Sequence, residues 1–202
     1  INDGYLMVNF IGHGNNDVLA HEHILRGSRD IERFNNGARQ CLFLAFSCSV
    51  GEFDRLDNIS LAEMLHLRKD GGSIAVIAAA RFTYNNSNVN LNKSFYKNLF
   101  DKEKNPDYRI GLALQLGKTI HNTDKNSYLY ILFGDPATRL MCPRYSFNLA
   151  EVDTIYRLQK IDIHGSIKDK SNTVPYDGTL YVKAHGPKIH KTYTNNNVVI
   201  DY

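Results

Sequence analysis

The chain has 202 residues, of which 43% are hydrophobic and 22% are charged, and its formal net charge is +3. This composition excludes the disordered class of chain, and the length suits one medium domain or one domain with a small appendage. Lys and Arg are spread along the chain, so no nucleic-acid partner is expected. No apolar run is long enough to cross a bilayer, so no transmembrane segment is expected either.

The first predicted element is a strand at residues 5–11, YLMVNFI. The residues before it lack the basic, apolar and cleavage regions of a signal peptide. A core-type strand that starts so early, with nothing before it to pair with, is typical of the interior of a domain. We therefore expect an upstream part of the domain, with further active-site residues, to lie outside this chain.

Three more apolar runs predict strands: CLFLAFS (41–47), SIAVIAAA (73–80) and YLYILF (128–133). In each of the four runs the apolar residues are continuous rather than alternating. Such runs are typical of strands that are covered on both faces, as in a parallel sheet between helices.

Helices are predicted between these strands. In the clearest one, Ser60 and Glu63 have the spacing of a capping box ahead of an apolar periodic segment. The predicted segments are 28–35, where Ser28 is the candidate cap, then 60–67, 90–100 and 109–120. The alternation of strands and helices predicts an α/β domain.

The pattern changes after the sequence GDPATRLMCP. From residue 146 onward the chain has short alternating stretches, KIDIHGSI, GTLYVKAHG and NNVVIDY, separated by turn clusters. We therefore divide the chain into an α/β domain at 1–145 and a small all-β, sandwich-like domain at 146–202, either complete or truncated.

A histidine between two glycines follows the first strand, in the sequence FIGHG, and a cysteine follows the second, in LAFSCSVG. A turn needs Gly, Asn or Asp but gains nothing from a histidine. If the two strands are parallel neighbours, both of their carboxyl ends open on one edge of the sheet. His13 and Cys48 would then face each other across one strand spacing, about 5 Å.

An imidazole beside a thiol favours the reactive thiolate and can protonate a leaving amine. Cys48 is therefore the candidate nucleophile and His13 the candidate general acid/base. The amides of Gly14 and Cys48 are candidate oxyanion donors. The alternative for any single cysteine is a structural role, because cysteine is commonly buried, and we interpret Cys41 and Cys142 in this way.

These residues resemble the caspase-type cysteine peptidases and, more closely, the gingipain family, in which a strand ending in His-Gly is followed by another ending in Cys. Matching stretches such as NFIGHG, AFSCSVGEFD and LYILFGDPATRL span residues 5–140. The most similar branch contains the C-terminal signal peptidases, or sortases, of the type IX secretion system in Bacteroidetes. The resemblance implies a caspase-like, mostly parallel sheet flanked by helices, followed by an immunoglobulin-like sandwich at 146–202.

The resemblance also implies a cysteine endopeptidase that cleaves C-terminal sorting domains from secreted cargo through a thioester acyl-enzyme. Water, or an amino group of anionic lipopolysaccharide, would then resolve the thioester, and the residues do not separate these outcomes. The expected partners are the cargo, the lipopolysaccharide and other outer-membrane secretion components, at the extracellular side of the cell surface. The alternatives are a non-catalytic scaffold that binds sorting signals and a secreted gingipain-like endopeptidase.

By the same resemblance, residues 81–86 occupy a place where gingipains build part of the substrate pocket, which makes Arg81 and Tyr84 candidates for substrate binding. For Arg81, a plain surface charge is an equal alternative. Glu52 and Asp54 either modulate the reactivity of His13 and Cys48, the candidate catalytic dyad, or form a solvated turn, and we favour the turn. The acidic residue that orients the gingipain histidine would lie upstream of this chain.

No cofactor is expected. His21 and His23 form a His-x-His pair, but no third metal ligand lies near them in the sequence, so we interpret them as part of a solvated loop. Gingipains carry structural calcium. No acidic cluster in this sequence marks such a site, and structural calcium stays an alternative that rests on the resemblance alone.

Overall fold

In the computed structural model the described residues are 1–142, 145–150, 160–169, 172–175, 177, 179, 192–195 and 198–201. The chain forms two compact units, Ile1–Cys142 and Pro143–Tyr202. In the described residues, every helix is too short or too polar to span a membrane.

The first unit is built around one sheet and a small hairpin. The strands are β1 (Met7–Ile11), β2 (Val18–Leu19), β3 (Leu25–Arg26), β4 (Cys41–Phe46), β5 (Ser73–Ala79) and β6 (Tyr130–Phe133). The sheet has the strand order β1-β4-β5-β6, in which the first three strands are parallel and β6 runs antiparallel beside β5. The hairpin pairs β2 with β3.

The helices of this unit are α1 (Gly27–Asp30), α2 (Leu61–Leu67), α3 (Asn85–Leu99), α4 (Ile110–Ile120) and α5 (Lys125–Leu129), with a 3-10 turn at Ile31–Arg33. The predicted capping box at the start of α2 is confirmed. The Ser60 hydroxyl accepts the Glu63 N–H, and the Glu63 carboxylate accepts the Ser60 N–H at 2.9 Å.

Two predicted segments differ from the observed ones near the start of the chain and in α3. The segment at 28–35 is one helical turn and a 3-10 turn, and Ser28 does not cap it. Instead, the Ser28 N–H and hydroxyl both donate to the Asp17 carboxylate, at 2.7 and 2.9 Å. Helix α3 begins at Asn85 rather than at residue 90, and its first turn was not predicted because its residues are polar, although Asn88 among them is buried.

Side-chain alternation along β4 explains why its apolar run is continuous. Residues of one parity pack beneath α3 and α4, and residues of the other parity pack beneath α2. The first set is Leu42, Leu44 and Phe46, with Leu91, Phe95 and Ile110; the second is Cys41, Phe43 and Ala45, with Leu61 and Leu65. Each face of the sheet therefore has its own hydrophobic core.

The continuous apolar run at residues 128–133 predicts another parallel strand, but β6 is antiparallel to β5. The sheet is therefore mixed. A single crossover helix returns the chain to the same end of a sheet. Between β5 and β6 the chain forms the packed pair α3 and α4, so it re-enters the sheet from the opposite end. The first two residues of the predicted strand end α5 instead.

Among the described residues of the second unit, every regular element is a strand. These strands are β7 (Tyr145–Leu149), β8 (Gly165–Asp169), β9 (Asn172–Thr173), β10 (Thr192–Asn195) and β11 (Val198–Asp201). Strand β8 pairs antiparallel with both β7 and β9, and β10 pairs antiparallel with β11. The predicted stretch GTLYVKAHG lies outside the described residues apart from Thr179. The immunoglobulin-like sandwich stays a prediction.

Candidate active site

The structure brings His13 and Cys48 to the same edge of the sheet. Strands β1 and β4 are adjacent and parallel, and Ile11 at the end of β1 is paired with Phe46 at the end of β4. His13 and Cys48 each lie two residues beyond these paired residues. The open edge beyond the carboxyl ends of parallel strands is where ligands bind in α/β proteins.

The segments that follow β1 and β4 are joined directly. The Ser47 hydroxyl is buried and donates to the Gly12 carbonyl at 2.8 Å. A Cβ atom at Gly14 would lie 2.5 Å from the Ser47 Oγ and 3.1 Å from the Val18 carbonyl oxygen, well inside ordinary contact. The second glycine of the Gly-His-Gly sequence is therefore required by close packing.

The loop that carries His13 folds back as a short hairpin, and the His13 side chain is exposed on it. The Ala20 N–H donates to the His13 carbonyl at 2.8 Å, which fixes the backbone of the histidine. The imidazole lines a shallow recess that also includes His21 and His23. No group of three or more His, Cys, Asp or Glu side chains that could hold a metal ion occurs within the described residues.

Cys48 is half-buried, and its sulfur lies against the segment that follows β5. The Thr83 N–H donates to the sulfur at 3.4 Å, the Thr83 carbonyl oxygen lies at 3.4 Å, and the Thr83 Oγ1 lies at 3.7 Å. Since β4 is the strand between β1 and β5, Cys48 emerges between the segments that these two neighbours supply.

The backbone immediately after Cys48 is strained and well anchored. Ser49 has a φ of +53°, a left-handed conformation that costs about 1–3 kcal/mol in a residue other than glycine and is typical of functional sites. The Ser49 N–H donates to the Arg81 carbonyl at 3.1 Å, and the Gly51 N–H donates to the Ala79 carbonyl at 2.9 Å. The end of β5 therefore holds the loop in this conformation.

The Arg81 side chain is paired with the same loop. Its guanidinium donates to both oxygens of Asp54, at 2.9 and 2.5 Å, and to the Ala80 carbonyl at 2.7 Å. These hydrogen bonds from Arg81 lower the pKa of Asp54. The sequence interpretation of Asp54 as part of a solvated turn missed this pairing, which connects the loop after Cys48 to the end of β5.

The Tyr84 side chain is 74% exposed, while its backbone is held firmly. The Asn126 side chain accepts the Tyr84 N–H at 3.2 Å and donates to the Tyr84 carbonyl at 2.9 Å. The backbone of Tyr84 is thus fixed one residue after Thr83, which contacts the Cys48 sulfur. Substrate binding by Tyr84 and Arg81 stays a prediction.

The geometry leaves the Gly14 amide available for the predicted oxyanion role. Gly14 forms an isolated antiparallel bridge with Leu19, and the amides that close this bridge belong to Asn15 and Ala20. The bridge therefore does not use the Gly14 N–H. The assignment of the Gly14 and Cys48 amides as oxyanion donors stays a prediction.

Sequence reasoning missed the polar network that reaches Cys48 through Thr83. Its members are the half-buried Thr83 and the buried Asn88, Asn126 and Tyr130. It also missed Ser47, the buried residue that joins the two strand ends. A signal for Asn88 exists in the sequence. It precedes Leu91 and Phe95 by three and seven residues, so it lies on the apolar side of a helix that begins earlier than predicted.

The profile of peptidase family C25 matches residues 1–141 of the chain. The chain belongs to peptidase family C25. The resemblance to the gingipain family stated from the sequence is confirmed at this level. None of the curated proteins matches the sequence.

Three solved structures share the fold of this chain. The first is gingipain R, an Arg specific cysteine proteinase, with a TM-score of 0.61 and 19% sequence identity over 74% of this chain and 37% of that chain. The second is described as a protease, with a TM-score of 0.62 and 15% identity over 82% of this chain and 42% of that chain. The third is the complex of the pro- and mature domains of RgpB from Porphyromonas gingivalis, with a TM-score of 0.60 and 20% identity over 74% of this chain and 38% of that chain. The C25 chain described here therefore spans about two-fifths of the length of these proteins.

We predict that Gly14→Ala destabilises the chain through its contact with Ser47. Overpacking of this kind costs about 1–3 kcal/mol of unfolding free energy. Ser47→Ala alone removes one buried hydrogen bond and costs about 1 kcal/mol. In the double variant the added Cβ no longer meets the Ser47 oxygen, which is its closest contact, so the cost of the double variant should be smaller than the sum of the two single costs.

Urea denaturation of the wild type and these variants measures the coupling. Gly117→Ala in α4 is the matched control, because a Cβ there makes only ordinary contacts, none closer than 3.4 Å, and alanine favours the helix. A Gly14→Ala variant as stable as Gly117→Ala, or a strictly additive double variant, would contradict the prediction.

Proposed function

We propose that the protein containing this chain is a cysteine peptidase in which Cys48 is the nucleophile and His13 the general acid/base. The observation that carries the proposal is the delivery of both residues to one edge of the sheet by adjacent, parallel strands whose ends are in register. A thiol and an imidazole so placed are the two groups that a cysteine peptidase needs. Membership of peptidase family C25 supports the same conclusion.

The proposed reaction begins when the Cys48 thiolate attacks the carbonyl carbon of the scissile peptide bond. The oxygen of the tetrahedral intermediate carries the negative charge and accepts hydrogen bonds from backbone amides, for which those of Gly14 and Cys48 are the candidates. Collapse of the intermediate breaks the C–N bond, His13 gives a proton to the departing amine, and a thioester remains. A second nucleophile, activated by loss of its proton to His13, releases the acyl group and restores the thiol.

We propose further that the enzyme is of the PorU type, a C-terminal signal peptidase or sortase of the type IX secretion system at the outer face of the cell. The support is the resemblance of residues 5–140 to that branch, in particular the stretch from Ile59 to Phe100. The substrate would be a cargo protein with a C-terminal sorting domain. The second nucleophile would be water, or an amino group of anionic lipopolysaccharide.

We predict that Cys48→Ala and His13→Ala, made in the full-length protein, each abolish removal of the sorting domain, because one lacks the nucleophile and the other the acid/base. Cys142→Ala is the control and should process cargo normally. The measurement is mass spectrometry of the cargo terminus, where a free carboxylate indicates hydrolysis and an added amine indicates transfer. Normal processing by either dyad variant would overturn the proposal, and cargo binding without cleavage by the wild type would favour a scaffold.

We predict that Arg81 acts through Asp54, by holding the loop after Cys48. Because the pair is solvent-exposed, its effect is small, and Arg81→Gln and Asp54→Asn should each lower kcat/KM only a few-fold. The double variant should be no worse than either single variant, because both remove the same pair. Steady-state cleavage of a sorting-domain peptide measures this.

A different result would restore the role in substrate binding that the sequence suggested. In that case Arg81→Gln would raise KM while Asp54→Asn left it unchanged. The double variant would then resemble Arg81→Gln alone.

A further inference from the structure

Three polar atoms of one residue surround the Cys48 sulfur. The Thr83 carbonyl oxygen, at 3.4 Å, suits a neutral thiol, because it can accept the S–H. The Thr83 N–H at 3.4 Å and the hydroxyl oxygen at 3.7 Å lie where donors would stabilise a thiolate. The hydroxyl helps the thiolate only if its single hydrogen points at the sulfur.

The contacts of Thr83 narrow the direction of that hydrogen to two acceptors. The Asn88 side-chain amide donates to the Thr83 Oγ1 at 3.0 Å, so the oxygen already acts as an acceptor on this side. The hydroxyl hydrogen must then point elsewhere. Apart from the Cys48 sulfur, the other group within its reach is the hydroxyl of Tyr130.

Asn88 is itself held in one orientation. Its Oδ1 accepts hydrogen bonds from the Tyr130 hydroxyl at 2.7 Å and from the Asn126 amide at 2.9 Å. Its Nδ2 donates to Thr83 and, at 3.4 Å, to the Phe46 carbonyl. Rotation of the amide by 180° would place its Nδ2 against the Asn126 amide and its Oδ1 against the Phe46 carbonyl, at a site that is almost fully buried, so this orientation is fixed.

Asn126 completes the sequence of hydrogen bonds. Its side chain is fixed by the backbone of Tyr84, and its own N–H donates to Asp124, the N-cap of α5, at 2.9 Å. Donors therefore run from Asn126 to Asn88 and from Asn88 to Thr83, which leaves the Thr83 hydrogen for the sulfur or for the Tyr130 oxygen. Both asparagines are buried, so solvent does not compete for these bonds.

We propose that the Thr83 hydroxyl, oriented by Asn88 as a positioning residue, donates a hydrogen bond to Cys48 and stabilises its thiolate independently of His13. The inference rests on the proposed function for its biological meaning, since a stabilised thiolate serves a nucleophile. Its physical content concerns the thiol alone. It assigns Thr83 to the reaction as a donor to the reacting atom, a role that sequence reasoning gave to neither Thr83 nor Asn88.

Tyr130 provides a control within the same cluster. Burial raises the pKa of Tyr130 well above its usual range, so the phenol stays protonated throughout any practical titration of a thiol. Its hydrogen belongs to Asn88, and only its oxygen can compete for the Thr83 hydrogen. Tyr130→Phe removes that competitor and leaves Thr83 free to donate to the sulfur.

The test is the pH dependence of Cys48 alkylation by iodoacetamide, which reacts with the thiolate. Cys41 and Cys48 share the tryptic peptide from Gln40 to Arg55, so fragment-ion mass spectrometry must locate the label. Thr83→Val keeps the shape, the N–H and the carbonyl but lacks the hydroxyl. It should raise the pH midpoint of alkylation by about one unit, the effect expected from loss of a hydrogen bond to a charged group.

Thr83→Ser restores the hydroxyl and should restore the wild-type midpoint, and Tyr130→Phe should leave the midpoint unchanged or lower it. The shift caused by Thr83→Val should persist in a His13→Ala background. The inference is overturned if Thr83→Val leaves the midpoint unchanged, if Thr83→Ser shifts it equally, or if Tyr130→Phe raises it as Thr83→Val does. The last two results would indicate general damage to the core.

The two proposals fail separately. If Cys48→Ala loses cargo processing but Thr83→Val does not shift the alkylation midpoint, the proposed peptidase function is supported and the role of Thr83 is overturned. A shifted midpoint together with normal processing by Cys48→Ala would confirm the donor and remove the peptidase.

Discussion

The parallel pairing of β1 with β4 is the constraint on which the rest of the site depends. Because Ile11 is paired with Phe46, the chain leaves both strands at the same depth, and the next residues of each meet in the contact between Ser47 and Gly12. A slip of one residue would turn one of the two strand-end side chains to the opposite face. Because both faces of β4 are apolar, its register is set by the fit of individual side chains in two separate cores, together with the contact between Ser47 and Gly12.

The central position of β4 gives Cys48 support from two sides. Strand β1 supplies the segment that carries His13, and β5 supplies the segment that carries Arg81 and Thr83. Backbone hydrogen bonds from the loop after Cys48 to the end of β5 hold Ser49 in a conformation that it would not keep alone. The site is thus built on the rigid ends of three strands, and the free energy that holds it in shape comes from the cores beneath α2 and α3.

Much of this could be predicted from the sequence because it is encoded locally. Apolar runs marked the strands, the spacing of Ser60 and Glu63 marked a helix start, and two strand ends marked the candidate dyad. The direction of β6 could not be predicted in this way, since it depends on two helices packing as a pair. Asn88 was missed because it precedes the predicted start of its helix, and because its partners Tyr130 and Asn126 are distant in the chain.

The two members of the candidate dyad have different surroundings. The imidazole of His13 is exposed on a loop, whereas Cys48 is half-buried against a residue whose hydroxyl is fixed by buried amides. An exposed imidazole can reach a bound substrate and exchange protons with solvent, while a half-buried nucleophile is held in a fixed position. If the thiolate is stabilised by a donor inside the protein, the histidine need not remain charged beside it and can serve as acid in one step and base in the next. The buried asparagines of α3 and α5 would then reduce the stabilisation of the thiolate that the imidazole must provide.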